Sequence, residues 1–229
     1  MKFPTLIPAT FINRDNRFSA SVQLEAGQVA AAHVPTTGRL TGVLRPGCRV
    51  WLAPAKGSHR KTSYTLLLSE LEHGGLCCVN AIMANQVFHQ AVVNGKLAAF
   101  PYDQIKKEVR FGHSRLDFRL LYRNVTCWVE VKSVTFAQGD LGMFPDAPTT
   151  RGRRHLETLA KLAADGERAS AVFIAQRGDT LRFSPFKAVD PEFTETLRHV
   201  HDAGVAVHAY RCEVSLEKME IAQEVPVEL

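Results

Sequence analysis

The sequence predicts an α/β (α+β) protein of two domains: a small five-stranded β-barrel over residues 1–80 and a mixed-sheet α/β domain over residues 81–229. Three observations support this class. The first eighty residues hold five short strand-like runs separated by turns that contain glycine or proline. The remainder alternates helical and strand-like segments, which is typical of a mixed layer of sheet and helices. Of the 229 residues, 45% are hydrophobic, enough for a core in each domain.

The predicted barrel strands are short and closely spaced. Five strands in about eighty residues suit an oligonucleotide-binding (OB) fold, which binds single or distorted nucleic-acid strands in a basic groove. A structural or dimerising barrel is the alternative. The predicted strands cover residues 9–24, 28–34, 48–54, 63–71 and 76–79.

The formal net charge of +5 is concentrated in this first domain. Residues 1–80 contain nine lysines and arginines against four acids, whereas the remainder holds 19 residues of each sign. This asymmetry favours a polyanionic partner, DNA first and RNA second, although a domain that is merely basic gives the same count. The loop over residues 36–39, Thr-Thr-Gly-Arg, either offers hydroxyls, amides and a guanidinium to an anion or is an ordinary surface turn. The candidate phosphate contacts are Arg14, Arg17, Arg39, Arg45, Arg49, Arg60 and Lys61.

The second domain is punctuated by helix signals. Pro101 and Pro191 occupy favoured first-turn positions, and Gly95, Gly166 and Gly204 follow predicted helix ends. We expect a long connection over residues 133–150. The predicted elements are helices over 81–94, 101–109, 151–165 and 191–203, a hairpin over 115–132, and strands over 169–176 and 205–210.

The hairpin carries charged residues within otherwise apolar strands. If Arg123 and Asn124 form a two-residue turn, Asp117 lies directly across from Glu130, and strand alternation places Lys132 on the same face as Glu130. Leu116, Phe118 and Leu120 are then predicted on one face of the first strand. Two facing carboxylates repel each other unless a cation lies between them.

This arrangement predicts a hydrolytic metal site. Asp117 and Glu130 supply the hard oxygen ligands that Mg²⁺ or Mn²⁺ prefers, and the Val131 carbonyl is a candidate third ligand. Lys132 is placed to orient a water molecule or to stabilise developing negative charge on a phosphodiester. Glu108, predicted near the end of the preceding helix, adds another acid. The alternative is a cross-strand ion cluster on a solvated face.

The five cysteines favour reduced thiols. Their number is odd, Cys77 and Cys78 are adjacent, and no paired C-x-x-C spacing indicates zinc. The sequence shows no apolar run long enough to cross a membrane and no signal-peptide core at its start. We therefore expect a cytoplasmic protein with no membrane partner, whose oligomeric state, a homodimer included, is left open.

The charged hairpin with its upstream acid resembles the PD-(D/E)XK nuclease superfamily. The wider pattern resembles the sugar fermentation stimulation protein A (SfsA) family over nearly the whole chain, with Thr37 where many relatives are expected to carry Asn. This resemblance implies an N-terminal OB barrel, a restriction-endonuclease-like second domain, DNA binding and a regulatory link to sugar metabolism. The segments that carry it are 33–38, 79–80, 107–112, 114–118, 129–135, 144–147, 151–156 and 182–185.

The resemblance also implies roles for individual residues. It maps Asp117 and Glu130 to metal ligands, Lys132 to the catalytic base-like position and Glu108 to an accessory acid. Arg151 and His155, on the next helix, are predicted either to touch the scissile phosphate or to be exposed polar residues at the start of that helix. Asp146 is interpreted as a loop cap rather than as a second metal contact.

Three functions fit these observations. The first is an Mg²⁺- or Mn²⁺-dependent nuclease acting on DNA or RNA. The second is a DNA-binding regulator in which the nuclease fold is a non-catalytic scaffold. The third is a sensor of a sugar phosphate, which would bind that anion but not DNA.

Overall fold

Five strands near the N-terminus close into a barrel in the computed structural model, which describes residues 1–55 and 62–229. Strands β1 to β5 pair in the order β3-β2-β1-β4-β5, and a parallel β3–β5 pairing closes the barrel. A sixth strand, β6, extends the sheet beside β5. The bounds are β1 Ile7–Asn16, β2 Ser19–Leu24, β3 Val29–His33, β4 Arg49–Pro54, β5 Tyr64–Glu70 and β6 Leu76–Cys78. The predicted barrel is confirmed, but its first predicted strand is a hairpin, β1–β2, that turns at Arg17 and Phe18.

The second domain is a six-stranded mixed sheet with helices on both faces. Its strand order is β15-β14-β12-β9-β8-β7, in which β9, β12 and β14 are parallel. Helix α1 packs on one face, and helices α2 and α3 pack on the other. The bounds are α1 Ile82–Val93, β7 Gln104–Phe111, β8 Ser114–Tyr122, β9 Val125–Val134, β10 Phe136–Gln138, β11 Leu141–Phe144, α2 Thr150–Ala164, β12 Arg168–Ala175, β13 Arg182–Pro185, α3 Pro191–Asp202, β14 Ala206–Val214 and β15 Met219–Val225.

The helix predicted over residues 101–109 is wrong, since this segment is strand β7. Ile105 and Val109 have helical spacing, but Val109 and Phe111 also alternate as in a strand, and Gly112 at φ 54° turns the chain into β8. Antiparallel pairing with β8 favours the strand over the helix. The edge strand β15 and the small sheet β10-β11-β13, within and after the predicted long connection, were also missed.

Paired caps fix the start of α2 against the start of α3. The Thr149 hydroxyl accepts a hydrogen bond from Gly152 N at 3.0 Å, and Asp190 caps α3 by accepting one from Phe193 N at 2.9 Å. The same Asp190 carboxylate accepts hydrogen bonds from Thr149 N at 2.8 Å and from Arg153 at 3.0 Å. The first turn of α2 is therefore held in place by a buried carboxylate of a neighbouring element.

The barrel and the second domain share one hydrophobic core. Trp51, Leu67 and Leu68 of the barrel belong to the same buried cluster as Phe88 of α1 and Ile174 of β12. The two domains are therefore packed against each other through a common set of buried side chains.

The loop after β3 docks directly on the second domain. Pro35 O accepts a hydrogen bond from Ala81 N at 3.2 Å, just before α1. Asp146 accepts one from Leu40 N at 3.0 Å, across 106 residues of sequence. Asp146 is thus a cap for this loop, as interpreted from the sequence.

Substituting Gly38 by alanine should weaken this docking. A Cβ at Gly38 would lie 2.5 Å from Asp146 Oδ1, so the carboxylate must move away from the Leu40 amide. We expect a loss of about 1–3 kcal/mol in the free energy of unfolding, the usual range for overpacking, measured by chemical denaturation. Gly178→Ala is the control, because the nearest atom to its Cβ is at 3.5 Å. Equal stability of Gly38→Ala and the wild type would contradict the tight contact.

Over residues 1–55 and 62–229, no helix is both long and apolar enough to cross a membrane.

Candidate active site

The charged hairpin forms with the predicted register. Arg123 and Asn124 have φ of 46° and 65°, as a two-residue turn with both central residues left-handed requires. The strands β8 and β9 then pair from Tyr122–Val125 to Phe118–Val129. This register carries Asp117 and Glu130 to neighbouring positions at the end of the ladder.

Asp117 leaves the regular ladder. Its carboxylate accepts hydrogen bonds from Val131 N and from Asn85 Nδ2 of α1, both at 2.8 Å. On the next strand, Glu108 at φ 53° lies between the pairs Lys107–Phe118 and Val109–Leu116. The chain is irregular here, so Leu116 joins the core under α2 whereas Phe118 and Leu120 join the core under α1. The prediction that these three residues share a face is wrong for Leu116.

Glu130 is a buried carboxylate with two donors on one oxygen. The residue is 3% exposed, and its Oε1 accepts a hydrogen bond from Lys132 Nζ at 2.5 Å. His155 Nδ1, from α2, makes a second contact to the same oxygen. The other oxygen, Oε2, is buried and has no hydrogen-bond partner within the described part of the chain. Glu130 therefore has one oxygen committed to side chains and one available.

His155 supports Glu130 from behind. It is 3% exposed, and Arg151 Nε lies 3.5 Å from its Nε2. Because a guanidinium only donates, Nε2 must accept and Nδ1–H donates to Glu130. The alternative of a solvent-exposed residue is thus wrong for His155, although it describes Arg151, which is exposed. A direct contact of either residue with a phosphate stays a prediction.

The pKa values of Asp117 and Glu130 are shifted in opposite directions. Burial, followed by the charge of Glu130, raises the pKa of Asp117 from 3.8 to about 6, against the opposing effect of the Val131 amide, Lys132 and Asn85. Burial also acts to raise the pKa of Glu130, but Lys132 and His155 outweigh it and hold that pKa below its usual range. Near neutral pH both groups are charged, and Asp117 is the one that needs a nearby cation most.

This difference predicts a pH-dependent stability without metal. Since the folded pKa of Asp117 lies above its unfolded value, its contribution is present below pH 4 and is lost as pH rises through about 6. In EDTA, the wild type should lose about 2–3 kcal/mol relative to Asp117→Asn between pH 4 and 7.5, at about 1.4 kcal/mol for each pKa unit. Urea denaturation of both proteins across this range measures it. A difference that does not change with pH would contradict the raised pKa.

The remaining predicted residues lie outside the hairpin, and among them Arg45 pairs with Glu72 at 2.9 Å. Glu108 lies on β7 rather than on a helix, at the position between the residues paired with Phe118 and Leu116. Its exposed carboxylate pairs with Arg115 at 3.5 Å rather than with a residue of the hairpin site. Arg49 is exposed on the barrel, with its guanidinium 5.4 Å over the Trp51 ring and 3.7 Å from Glu25. Arg60 and Lys61 lie outside the described residues.

Arg14 has a structural role in the loop after β3. Its guanidinium donates to the carbonyls of Gly38 at 2.6 Å, Arg39 at 2.8 Å and Arg17 at 2.6 Å. Both terminal nitrogens of Arg14 bond main-chain carbonyls, and its Nε is buried without a partner among the described residues. Arg14 therefore holds the loop rather than presenting its terminal donors to a phosphate. Arg17 and Arg39 are exposed beside it.

Sequence reasoning missed Asn85 and the contact between His155 and Glu130. Asn85 lies on a helix 32 residues before Asp117, and no motif connects the two. His155 was singled out, but for phosphate rather than for Glu130. The one sequence signal for Asn85 and for the buried position of His155 is that each is a polar residue on the inward face of a predicted helix.

The residues fit a hard divalent cation for which the protein supplies only some of the ligands. No cluster of three or more His, Cys, Asp or Glu suited to a metal occurs in residues 1–55 and 62–229. Two neighbouring carboxylates and the unpartnered Glu130 Oε2 are, however, what Mg²⁺ uses when it keeps several of its waters. Asp117 and Glu130 are the residues that would hold such an ion, and the Val131 carbonyl stays a predicted ligand.

The chain is similar to known proteins over its full length. Family models match residues 12–79 as "SfsA N-terminal OB domain" and residues 82–218 as "Sugar fermentation stimulation protein RE domain". A sugar fermentation stimulation protein homolog of Desulforamulus reducens is 39% identical over 228 residues, covering 99% of this chain and 94% of the relative. The solved structure of Pyrococcus furiosus SfsA in complex with Ca²⁺ matches with a TM-score of 0.91 and 33% identity, covering 100% of this chain and 98% of that one. The chain therefore belongs to the sugar fermentation stimulation protein A family.

Proposed function

We propose that this protein is a phosphodiesterase that cleaves nucleic acid, DNA first, with Mg²⁺ or Mn²⁺ as its cofactor. The observation that carries the proposal is the buried Glu130 beside Asp117, with a lysine on one Glu130 oxygen and the other oxygen unpartnered. The Pyrococcus relative, solved with Ca²⁺, supports a hard divalent cation in this family. The five free thiols are consistent with action in the reducing cytoplasm.

Each side chain has a distinct part in this proposal. When bound, a divalent ion would orient a water molecule and offset negative charge on the phosphodiester. Asp117, fixed by Asn85 and the Val131 amide, and Glu130, fixed by His155, would hold that ion in a preformed geometry. The Lys132 side chain is 12% exposed, and its ammonium contacts Glu130 Oε1. It would stabilise the charge that develops on the phosphate oxygens.

Direct assay of cleavage tests the proposal. Purified protein is incubated with single-stranded, duplex and branched DNA and with RNA, in Mg²⁺, in Mn²⁺ and in EDTA. We expect cleavage with either metal, none in EDTA, and none by Glu130→Ala protein whose fold is verified by circular dichroism. If folded wild type leaves every substrate intact with every metal, the proposal fails.

A non-catalytic DNA-binding regulator is the second candidate. It is favoured by one observation, namely that both oxygens of Asp117 and one of Glu130 already have protein hydrogen-bond partners. Regulation of sugar metabolism, suggested by the family's name, would then follow from binding alone. This candidate predicts salt-dependent DNA binding that Asp117→Ala leaves unchanged, with no cleavage under any condition.

A further inference from the structure

A cavity of about 520 Å³ lies where the barrel meets the loop that leads into α2. The barrel side is formed by the β1–β2 turn and by the loop after β3, and Ala147 and Pro148 form the opposite side. Its barrel lining includes Arg14, Arg17, Thr37 and Arg39. The Thr-Thr-Gly-Arg loop singled out in the sequence is thus one wall of this cavity, which is wide open to solvent.

The wall is held rigid by bonds that leave its outer arginines available. The Arg14 guanidinium bonds the carbonyls of Arg17, Gly38 and Arg39, so it ties the β1–β2 turn to the loop. Asp146 ties the same loop to the second domain through Leu40 N. These contacts fix the backbone at Arg17 and at Arg39 without using either side chain.

The cavity is cationic. The side chains of Arg17 and Arg39 are exposed and make no hydrogen bond or ion pair with any described residue. Together with Arg14 they place three guanidinium-bearing residues and the Thr37 hydroxyl around one opening. The nearby carboxylate, Asp146, is already bonded to the Leu40 amide. Guanidinium groups with a hydroxyl are a set of donors that matches the oxygens of a phosphate.

The position of the cavity links it to the carboxylates. Pro148 directly precedes Thr149, which caps α2. Two residues further on, Arg151 contacts His155, which contacts Glu130. The start of α2 therefore connects the cavity to Glu130, and a nucleic-acid strand with one phosphate in the cavity and another at Glu130 would pass along it.

We propose that this cavity is a phosphate subsite, in which Arg17 and Arg39 hold a backbone phosphate of the same nucleic-acid strand that reaches Glu130. The proposal rests on the proposed function for its ligand, and it adds a specific contact by which the barrel seats the strand. Arg14 acts in it as a positioning residue, and Arg17 and Arg39 as the binding residues.

Binding measured without metal tests the subsite separately from cleavage. The affinity of a fluorescently labelled single-stranded oligonucleotide is measured by anisotropy in EDTA, from about 50 to 200 mM salt, for wild type, Arg17→Gln and Arg39→Gln. We expect each variant to bind about three- to tenfold more weakly, with a salt slope lower by about 0.7, the value for one phosphate contact on a single strand. Arg198→Gln is the matched control, because Arg198 is exposed on α3 and lies away from the cavity.

The outcomes separate the subsite from the proposed function. Affinities and slopes of Arg17→Gln and Arg39→Gln equal to those of Arg198→Gln would overturn the subsite, whether or not the wild type cleaves. Weaker binding with a lower slope supports it even if no cleavage is found.

A second arm tests whether the phosphate comes from a small molecule. Inorganic phosphate and glucose 6-phosphate are added at millimolar concentration in thermal-shift assays of the wild type and both variants. We expect no shift that depends on Arg17 and Arg39. A stabilisation lost in both variants, with oligonucleotide binding unchanged, would assign the cavity to a free phosphomonoester and overturn its role for nucleic acid.

Discussion

Glu130→Gln is expected to lower the rate of metal-dependent cleavage by about a thousandfold or more. The substitution keeps the size of the side chain and an oxygen for Lys132 and His155, but it replaces a charged metal ligand by a neutral amide. Losing charge stabilisation by a bound cation removes several kcal/mol from the transition state, and each 1.4 kcal/mol is about tenfold in rate. Cation affinity should fall in parallel, measured by calorimetric titration with Ca²⁺ or Mn²⁺.

The control for this variant is an acid on the same side of the sheet that contacts nothing in the site. Glu157→Gln removes one negative charge from the exposed face of α2, two residues beyond His155. It should leave both cleavage and cation affinity unchanged. If Glu130→Gln retains wild-type cation affinity while remaining folded, the cation does not bind at this carboxylate, and the assignment of the site to the hairpin is wrong.

The hairpin shows how much of the site local sequence rules determine. The two-residue turn at Arg123 and Asn124, together with strand alternation, is enough to predict that Asp117, Glu130 and Lys132 lie together. Register is set by neighbours in sequence, so it can be inferred from the pattern of residues. The paired residues end at Phe118 and Val129, so the register brings Asp117 and Glu130 to the end of the ladder but does not fix the contacts of their carboxylates.

Contacts between elements far apart in sequence could not be predicted in the same way. Asn85 reaches Asp117, and His155 reaches Glu130, because α1 and α2 pack on opposite faces of the sheet with a particular rotation. Helix rotation depends on the whole core, not on the residues of the helix alone. Arg14 is a further case: its positive charge suggested a phosphate contact, but its terminal nitrogens bond main-chain carbonyls of its own turn and of the loop after β3.

Glu108 illustrates a failure at the level of secondary structure. Its segment has apolar residues at both helical and strand spacing, and pairing with β8 placed it on an edge strand. The resemblance made Glu108 an accessory acid on a helix, whereas on β7 its carboxylate pairs with Arg115 at the surface. When the spacing of a few apolar residues fits both a helix and a strand, the sequence alone can therefore assign a residue to a site wrongly.

Lys132→Met is expected to separate catalysis from cation binding. Lys132 Nζ lies 2.5 Å from Glu130 Oε1, so its removal leaves His155 as the donor to that oxygen and takes a positive charge away from the candidate metal ligands. Cation affinity should therefore be unchanged or higher. Cleavage should fall by about 10²–10³-fold in kcat, as when one preorganised donor to a developing negative charge is lost, with little change in KM.

The Lys132→Met prediction needs a control that changes a lysine outside the site. Lys161 is an exposed lysine on α2, so Lys161→Met is the matched control. It should change neither the cation affinity nor kcat. Because methionine is close to lysine in length, it keeps most of the packing of a side chain that is 12% exposed. If cation affinity falls in step with kcat in Lys132→Met, the lysine serves only to hold Glu130 in place. If affinity holds while kcat falls, the ammonium acts on the reacting phosphate itself.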